Sequence, residues 1–334
     1  MKFHFPQILT LFLAPFIYSN ASSQSLTALK TEYLENPIGL DNAKPRFTWQ
    51  MNDASLGAKQ TAYRILVDVD SAALMQEKAS CWNSGWNKSD INLVIFSGKP
   101  LKPFTKYFWR IDVTNGRKKT FSKIASFEMG MMNMVNWQGA WISDNENIKL
   151  KPAPYFRYTF NAAKKIKSAR AYIAAGGLYE LSINGKKIGN HRMDPMYTRF
   201  DRRTLYVTYD VTTAIQQGKN GIGVLLGNGW YNHQSTAVWY FDRAPWRNRP
   251  TFCLDVRITY EDGTTETIKS GKDWKTALSP IVFNSIYTAE HYDARMEKPG
   301  WNTASFDDKD WKAVMYRSAP SRNIVAQALH PIRN

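Results

Sequence analysis

Cysteine and histidine are both scarce in this chain of 334 residues. The two cysteines, Cys81 and Cys253, fall on either side of the domain boundary predicted below. A disulfide needs Cα atoms within about 7 Å, so we expect two buried free thiols rather than a bridge. The five histidines show neither His-x-x-x-His nor Glu-x-x-His spacing. A disulfide scaffold is therefore excluded, and a zinc site is not expected.

Two catalytic signatures are also missing, because the sequence has no Gly-x-Ser-x-Gly nucleophile elbow and no glycine-rich phosphate loop. Long apolar runs are confined to residues 8–18, which follow Lys2 and precede Ser19-Asn20-Ala21-Ser22-Ser23. An apolar core of about 7 to 15 residues before small residues is typical of a secretory signal peptide, here residues 1–24. A membrane span needs about 20 residues. We therefore expect a secreted or periplasmic protein with no lipid-anchor cysteine and no membrane span in the mature chain.

Acidic residues are few relative to basic ones, 28 against 44, which gives a net charge of +16. The basic residues are dispersed in short groups beside turns, such as Arg117-Lys118-Lys119 and Arg202-Arg203, as on solvated faces. A nucleic-acid partner is not expected, since that would require a basic stripe on a recognition motif. The charge leaves open an attraction to acidic polysaccharide.

Helical periodicity is nearly absent and is limited to residues 71–78 and 213–217. Asn-Gly, Asp-Gly, Gly-Lys and Pro punctuate short runs of β-branched and aromatic residues, which is typical of β-sandwiches. The runs that predict strands are 47–49, 62–69, 107–114, 169–174, 179–183, 222–226 and 252–260. The sequence therefore predicts an all-β chain, and the 310 residues that remain after residues 1–24 suffice for two domains.

The first domain, residues 26–130, is predicted to be a fibronectin type III-like β-sandwich with core aromatic residues and no ligand. Tyr107 ends a Leu-x-Pro-x-Thr-x-Tyr approach to a late strand, which favours a tyrosine corner. The joint, residues 129–135, is short and free of Pro, so we expect packed domains. Trp137 and Trp141 are predicted to pack in a core or on the first domain rather than to form a sugar platform.

The second domain, residues 136–334, is predicted to be a jelly-roll β-sandwich of the carbohydrate-binding type. Eight short segments follow one another along it, each occurring once: Trp137-Gln138-Gly139-Ala140-Trp141-Ile142, Gly177-Leu178-Tyr179-Glu180-Leu181, Ile183-Asn184-Gly185, residues 206–212, Gly227-Asn228-Gly229-Trp230-Tyr231, Glu290-His291-Tyr292-Asp293-Ala294-Arg295, Pro299-Gly300-Trp301 and Phe306-Asp307-Asp308-Lys309-Asp310-Trp311. Together with the preceding domain, this series resembles the N-terminal part of bacterial α-L-rhamnosidases of glycoside hydrolase family seventy-eight.

The resemblance implies that an (α/α)6 barrel follows these modules in the family and hydrolyses terminal α-L-rhamnose with inversion. Inversion uses two carboxyl groups about 6.5 to 9.5 Å apart. We expect this chain to stop before the barrel, so the barrel and its carboxylate pair are expected to be absent and no catalytic residue is assigned.

Carboxylates cluster twice within the chain, and we interpret both clusters as structural. They contain Glu290, Asp293 and Glu297 in one case and Asp307, Asp308 and Asp310 in the other. Asp293 lies two residues before Arg295, and an adjacent guanidinium favours a charged carboxylate in an ion pair over a proton donor. Asp307-Asp308 is typical of a turn in which Asp side chains bond backbone amides.

Two loops carry the side chains that sugar binding requires, namely an aromatic ring for the apolar face and planar groups for the hydroxyls. The candidate carbohydrate-binding residues are Asn228, Trp230, Tyr231, Asp242, Trp246 and Asn248, and the same loops contain Asn232, Trp239, Tyr240 and Arg247. The resemblance also implies rhamnose binding through calcium, for which Asn228 with Asp194 or Asp242 would supply oxygen ligands.

Three functions stay open at this point. The first is carbohydrate recognition or scaffolding within an α-L-rhamnosidase, with a rhamnose-containing glycan as partner. The second is catalytic activity on complementation with a separately encoded barrel. The third is a protein-binding or adhesion module built on the first domain. Within the first, Trp230 and Trp246 either contact sugar or hold the module onto the barrel.

Overall fold

The computed structural model of the protein describes residues 24–235 and 239–333. The predicted signal peptide, residues 1–24, lies outside the described residues except for Gln24, so it stays a prediction. Across the described ranges there is a single α-helix, of five residues, and the rest of the regular structure is strand and 3-10 helix. None of the helices described is long and apolar enough to cross a bilayer. The all-β prediction is confirmed.

The first β-sandwich contains nine strands and the helix. They are β1 (Ser25–Thr31), β2 (Arg46–Asn52), β3 (Ala62–Asp68), α1 (Ser71–Met75), β4 (Trp82–Asn83), β5 (Asn87–Lys88), β6 (Leu93–Ile95), β7 (Lys106–Thr114), β8 (Lys119–Phe121) and β9 (Ala125–Glu128). One sheet has the order β1-β2-β6, and the other has β4-β3-β7-β8 with β5 on β3 and β9 on β7. Alternate residues of the two sheets face each other, and Phe47, Trp49, Ile65 and Trp109 form a fully buried core.

Two predicted local features are present in this sandwich. The helix begins at Ser71 because the Asp70 side chain accepts a hydrogen bond from the backbone N–H of Ala72, 2.8 Å away. The Tyr107 hydroxyl accepts the backbone N–H of Lys102 at 2.9 Å, which fixes the approach to β7. The tyrosine corner is therefore confirmed.

The second unit is a jelly-roll sandwich. Its strands are β10 (Ile142–Ser143), β11 (Pro154–Ala162), β12 (Ile166–Gly176), β13 (Leu178–Ile183), β14 (Lys186–Lys187), β15 (His191–Arg192), β16 (Thr204–Asp210), β17 (Gly218–Gly227), β18 (Thr251–Tyr260), β19 (Thr265–Lys269), β20 (Lys275–Leu278), β21 (Ile281–Ser285), β22 (Ala289–Tyr292), β23 (Lys312–Ala313), β24 (Met315–Tyr316), β25 (Ile324–Ala326) and β26 (Ile332–Arg333). Short 3-10 helices lie at Met134–Asn136, Phe241–Arg243 and Ala294–Met296.

Two sheets face each other in this unit. One has the order β24-β10-β18-β12-β16-β25 with β19 on β18, and the other has β14-β13-β17-β11-β20-β23. The pairings are antiparallel except for β16 with β25. Fully buried side chains from both sheets, including Phe156, Val224, Phe252 and Leu254, fill the space between them. The strand pair β15-β26 and the hairpin β21-β22 lie outside the two sheets.

The helix predicted at residues 213–217 is wrong, because the chain forms a turn there. The Asn220 side chain accepts the backbone N–H of Gln216 at 2.9 Å and donates to the Gln216 carbonyl at 2.7 Å. These bonds take the backbone groups that would continue a helix, and Gly218 then starts β17 with φ of +95°.

The two sandwiches pack directly on each other, as the short joint predicted. The Tyr206 hydroxyl donates to the Asp41 carboxylate at 2.6 Å and accepts the backbone N–H of Met131 at 2.9 Å. Arg170 and Glu128 form an ion pair at 3.0 Å across the same boundary. The domain boundaries, 26–130 and 136–334, stay predictions at the level of single residues.

Trp137 and Trp141 lie at this boundary. Trp137 packs edge-on against Tyr206 with ring centroids 5.5 Å apart, and Trp141 is buried in one cluster with Met131 and Tyr172. The prediction that both pack against protein rather than form a sugar platform is confirmed.

Both cysteines are free thiols, with Cys253 buried and Cys81 half-buried. Burial raises the pKa of Cys253 far above its ordinary value, so this thiol is protonated and unreactive at neutral pH.

A C-terminal segment, residues 301–308, covers part of the outer face of the sheet β14-β13-β17-β11-β20-β23. Trp301 stacks on Tyr155 with ring centroids 4.0 Å apart. The buried Arg157 guanidinium donates to the carbonyls of Trp301 and Thr303 at 2.8 and 2.9 Å and pairs with Asp308. This face therefore keeps an aromatic cover supplied by the chain itself.

The structural interpretation of Asp293 and Asp308 agrees with their contacts. Asp293 pairs with Arg295 at 2.6 Å, and this hydrogen-bonded guanidinium lowers the pKa of Asp293 to about 2. Asp308 is held by Arg157 and, at 2.8 Å, by Lys275. The Asp293 carboxyl group is therefore not poised to donate a proton near neutral pH.

Candidate carbohydrate-binding site

Aromatic side chains from four separate segments meet at one end of the second sandwich. We call the rings of Tyr197, Trp230, Phe241, Trp246 and Tyr287 the aromatic cluster. The Trp230 ring centroid lies 5.3 Å from those of Phe241 and Tyr287 and 5.5 Å from that of Tyr197, and Phe241 lies 6.1 Å from Trp246. Tyr197 and Tyr287 keep an exposed side.

The turn after β17 places Trp230 in this cluster. The backbone N–H groups of Tyr231 and Asn232 both donate to the Asn228 carbonyl, at 3.2 and 3.1 Å. Gly229 adopts φ of +51°, and a Cβ there would lie 2.9 Å from the Leu178 side chain. The Gly-Asn-Gly-Trp-Tyr sequence is therefore needed to close this turn tightly against the sheet.

Asn228 and Tyr231, two of the predicted sugar-binding residues, are buried and hold the loops together. The Asn228 amide oxygen accepts Asn232 at 3.1 Å, and the Asn228 backbone N–H donates to the side chain of Asn284 on β21 at 2.7 Å. The Tyr231 ring packs edge-on against Phe200 at 5.1 Å. Both side chains are thus engaged in contacts within the protein, and their predicted direct contact with sugar stays a prediction.

Trp230 and Trp246 are half-buried, and the Trp246 indole N–H donates to the Trp230 carbonyl at 3.4 Å. Asn248 is exposed, and its side chain accepts the backbone N–H of Arg249 at 2.8 Å. Trp239 and Tyr240 are 72% and 60% exposed. Exposed rings therefore lie on the same loop that contributes the half-buried Trp246 to the cluster.

Three polar atoms around this cluster have no hydrogen-bond partner among the residues that the structure describes. They are Nδ1 of His233, Oδ1 of Asp242 and Nδ2 of Asn284. His233 is buried, and burial lowers its pKa, so the imidazole is neutral at pH 7. Unpaired buried polar atoms are costly, and they mark positions where a hydroxyl group or a water would be favoured.

His233, Tyr197 and Tyr287 were not among the residues predicted from the sequence. Tyr197 lies between β15 and β16, and Tyr287 lies in the turn between β21 and β22. Both are more than 25 residues from Trp230, so only the pairing of the strands brings them together. The Asn-His pair after Trp230-Tyr231 was the available signal for His233.

A calcium ion does not fit Asn228 and Asp194 as they are placed. The Asp194 carboxylate is buried and is hydrogen-bonded to the Tyr209 hydroxyl at 3.0 Å, the His191 ring at 2.7 Å and the Gln327 amide at 3.0 Å. Among residues 24–235 and 239–333 there is no group of three or more His, Cys, Asp or Glu side chains that could hold a metal ion. Calcium prefers six to eight oxygen ligands, and here the side-chain oxygens of Asn228 and Asp194 already accept protein donors, while Asp242 adds one unpaired carboxylate oxygen among the described residues.

A groove of about 600 Å³ lies beside the cluster, between the ends of β13 and β17 and the β21-β22 hairpin. Its lining includes Leu178, Gly229, Asn284 and Glu290. The groove shares Asn284 with the loops of the aromatic cluster, so it offers space for further residues of an extended ligand.

The fold is that of two β-sandwiches in series, an immunoglobulin-like domain followed by a jelly roll. Residues 26–133 match the family model described as "Rha78A-like, N-terminal immunoglobulin domain". Residues 164–334 match the model described as "Alpha-L-rhamnosidase N-terminal domain". The chain therefore belongs to the α-L-rhamnosidase family, as its N-terminal region.

Curated relatives and solved structures agree with this assignment. The chain is 31% identical to an α-L-rhamnosidase of Formosa agariphila over 100% of its own length and 38% of that protein, and 34% identical to another from the same organism over 92% and 35%. The structure of an α-L-rhamnosidase from Dictyoglumus thermophilum matches with a TM-score of 0.85 at 35% identity, over 92% of this chain and 36% of that one. The chain thus spans about a third of the length of these relatives.

Proposed function

We propose that this chain is the carbohydrate-recognition region of an exported α-L-rhamnosidase and that the aromatic cluster is its sugar-binding site. Family membership supports the rhamnosidase part. The observation that carries the binding role is the meeting of exposed rings with unpartnered polar atoms at one end of the jelly roll. Export follows from the predicted signal peptide, residues 1–24.

The chemistry of the cluster suits a sugar ring. Pyranoses present C–H groups on one face, which pack on an aromatic ring, and hydroxyls at the edge, which need fixed polar groups. Trp239 and Tyr240 offer exposed ring faces. His233 Nδ1 and Asp242 Oδ1 supply polar atoms that the protein itself leaves unpaired among its described residues. The exposed rings distinguish the cluster from an aromatic core, in which rings are covered by protein.

Hydrolysis of rhamnosides is assigned to the part of the rhamnosidase that lies outside this chain. The relatives are longer, and the Asp293 and Asp308 carboxylates are held in ion pairs. We expect the purified chain to release no rhamnose from an aryl α-L-rhamnoside. Turnover that survives repurification would contradict this assignment.

Calorimetric titration of the purified chain with L-rhamnose tests the binding proposal. Trp239→Ala is the informative variant, because the ring is exposed and its loss should not disturb folding. Trp86→Ala, at a partly exposed tryptophan of the first sandwich, is the matched control. We expect Trp239→Ala to weaken binding about tenfold, as loss of one stacking ring would, and the control to bind like the parent.

Other results would change the conclusion. Equal loss in both variants, or no binding heat from a folded parent chain, would contradict sugar recognition at the cluster. The second result would instead favour the alternative that Trp230 and Trp246 attach this module to the rest of the enzyme.

A further inference from the structure

We propose that the glycan bound at the aromatic cluster is anionic and that it carries hexuronate carboxylates, which the arginines around the cluster recognise. This inference rests on the proposed function, since it names the class of ligand for the same site. It goes beyond that function because neutral rhamnose has no charged group for these arginines to bind.

Arginine is concentrated around the cluster, and lysine is excluded from it. Two segments frame the aromatic rings, residues 197–203 and 239–249. They contain six of the chain's 18 arginines, none of its 26 lysines and only two aspartates. The six are Arg199, Arg202, Arg203, Arg243, Arg247 and Arg249. A solvated face would accept either cation, whereas planar, bidentate binding of carboxylates requires the guanidinium group.

Half of this charge is left over after internal pairing. Arg249 is neutralised by the buried Asp144 at 2.7 Å, and Arg199 pairs with Asp201 at 2.9 Å. The side chains of Arg202 and Arg243 are 75% and 77% exposed and approach a carboxylate only at 4.0 and 3.9 Å. Six arginines less Asp201, Asp242 and Asp144 leave a formal charge of +3 beside the rings.

Ring contacts join the two arginine-bearing segments at the cluster and place Arg243 beside an exposed ring. The Tyr197 ring lies 5.9 Å from Phe241 and so joins the two segments. The Arg243 guanidinium lies 5.7 Å from the centroid of the exposed Tyr240 ring. A uronate residue stacked on such a ring would direct its C6 carboxylate outward, towards a guanidinium at the edge.

A nucleic acid could also use rings and arginines, but two observations favour the glycan. The chain belongs to a family of glycoside hydrolases. In addition, Asp242 leaves an unpaired carboxylate oxygen among the described residues of the site, and this oxygen can accept a hydroxyl group, which each residue of a glycan offers and the backbone of a DNA strand does not.

The test compares a charge-removing pair of substitutions with a matched pair elsewhere. Arg202→Gln with Arg243→Gln removes two exposed charges at the site, and Arg117→Gln with Lys118→Gln removes two exposed charges from the first sandwich. The probes are L-rhamnose, a rhamnose–galacturonate oligosaccharide and a single-stranded oligonucleotide of equal charge, each titrated at about 20 and 200 mM salt.

We expect the parent chain to bind the uronate oligosaccharide at least tenfold more tightly than L-rhamnose at low salt. The double variant Arg202→Gln with Arg243→Gln should bind the uronate oligosaccharide about tenfold more weakly than the parent chain and lose most of the salt dependence of that binding. Its affinity for L-rhamnose should be unchanged. The control pair should bind all probes like the parent.

Equal affinity for L-rhamnose and the uronate oligosaccharide would overturn this inference and leave the proposed function intact. Equal loss in the two double variants would also overturn it, because only overall charge would then matter. Oligonucleotide binding as tight as glycan binding would replace it with general polyanion binding. Failure of both sugars to bind a folded chain would defeat the proposed function and this inference together.

Discussion

Replacing Gly221 by Ala should destabilise the second sandwich, because the C-terminal segment runs directly over this glycine. A Cβ at Gly221 would lie 2.4 Å from the carbonyl carbon of Thr303 and 2.6 Å from the backbone nitrogen of Ala304. These are main-chain atoms, so no side-chain rotation can relieve the contact. The segment itself must move away from the sheet.

Moving the segment would also strain the contacts of Arg157. This buried guanidinium donates to the Thr303 carbonyl at 2.9 Å and the Trp301 carbonyl at 2.8 Å. Overpacking costs about 1 to 3 kcal/mol, and weakening one hydrogen bond to a charged group adds about 1.5 kcal/mol. We therefore expect Gly221→Ala to lower the free energy of unfolding by about 3 kcal/mol.

Urea denaturation followed by tryptophan fluorescence measures this change, since Trp301, which belongs to the segment, stacks on Tyr155 of the sheet. Gly271→Ala is the control, because a Cβ there meets no atom within 4 Å among the described residues. The control should be neutral or slightly stabilising. A Gly221→Ala midpoint equal to that of the control would refute the docking of the C-terminal segment on this face.

Two further predictions concern the boundary between the sandwiches. Tyr206→Phe removes the buried hydroxyl that bonds Asp41 and Met131, and it should lower the free energy of unfolding, measured by thermal unfolding, by about 2 to 3 kcal/mol. The control Tyr292→Phe removes an exposed hydroxyl bonded to a carboxylate and should lower it by under about 1 kcal/mol. Equal losses of unfolding free energy in the two variants would contradict the packed boundary. Burial raises the pKa of Asp255 to about 6, so the folded state binds a proton more tightly than the unfolded chain. Unfolding free energy should rise by about 1 kcal/mol from pH 7 to pH 5 relative to Asp255→Asn, and a parallel pH dependence of the two proteins would contradict this.

The sequence predicted the strands well because each long strand has a strongly apolar buried face. Residues 179–183, 222–226 and 252–260 lie within β13, β17 and β18, and their buried residues reach the same core. The prediction of a helix at 213–217 was wrong because the side chain of Asn220, which lies outside that range, bonds the backbone of Gln216. Such local competition between a side chain and the backbone is not visible in apolar periodicity.

The candidate site was predicted only in part. Trp230 and Trp246 do lie together in the aromatic cluster, as their loops suggested. The burial of Asn228 could not be foreseen, since it depends on Asn284, which follows 56 residues later and accepts its backbone N–H. Tyr197 joins the cluster through a comparable long-range contact. Motif spacing identifies a loop, but only the paired strands determine which of its side chains reach the surface.

Sugar recognition by the jelly roll is tested most directly by calorimetric titration of the folded parent chain with L-rhamnose, once with calcium and once with EDTA. Because the oxygens of Asn228 and Asp194 already accept protein donors, we predict binding heat of equal size in both buffers. Absence of heat in both buffers would contradict a carbohydrate-recognition role for this region of the rhamnosidase.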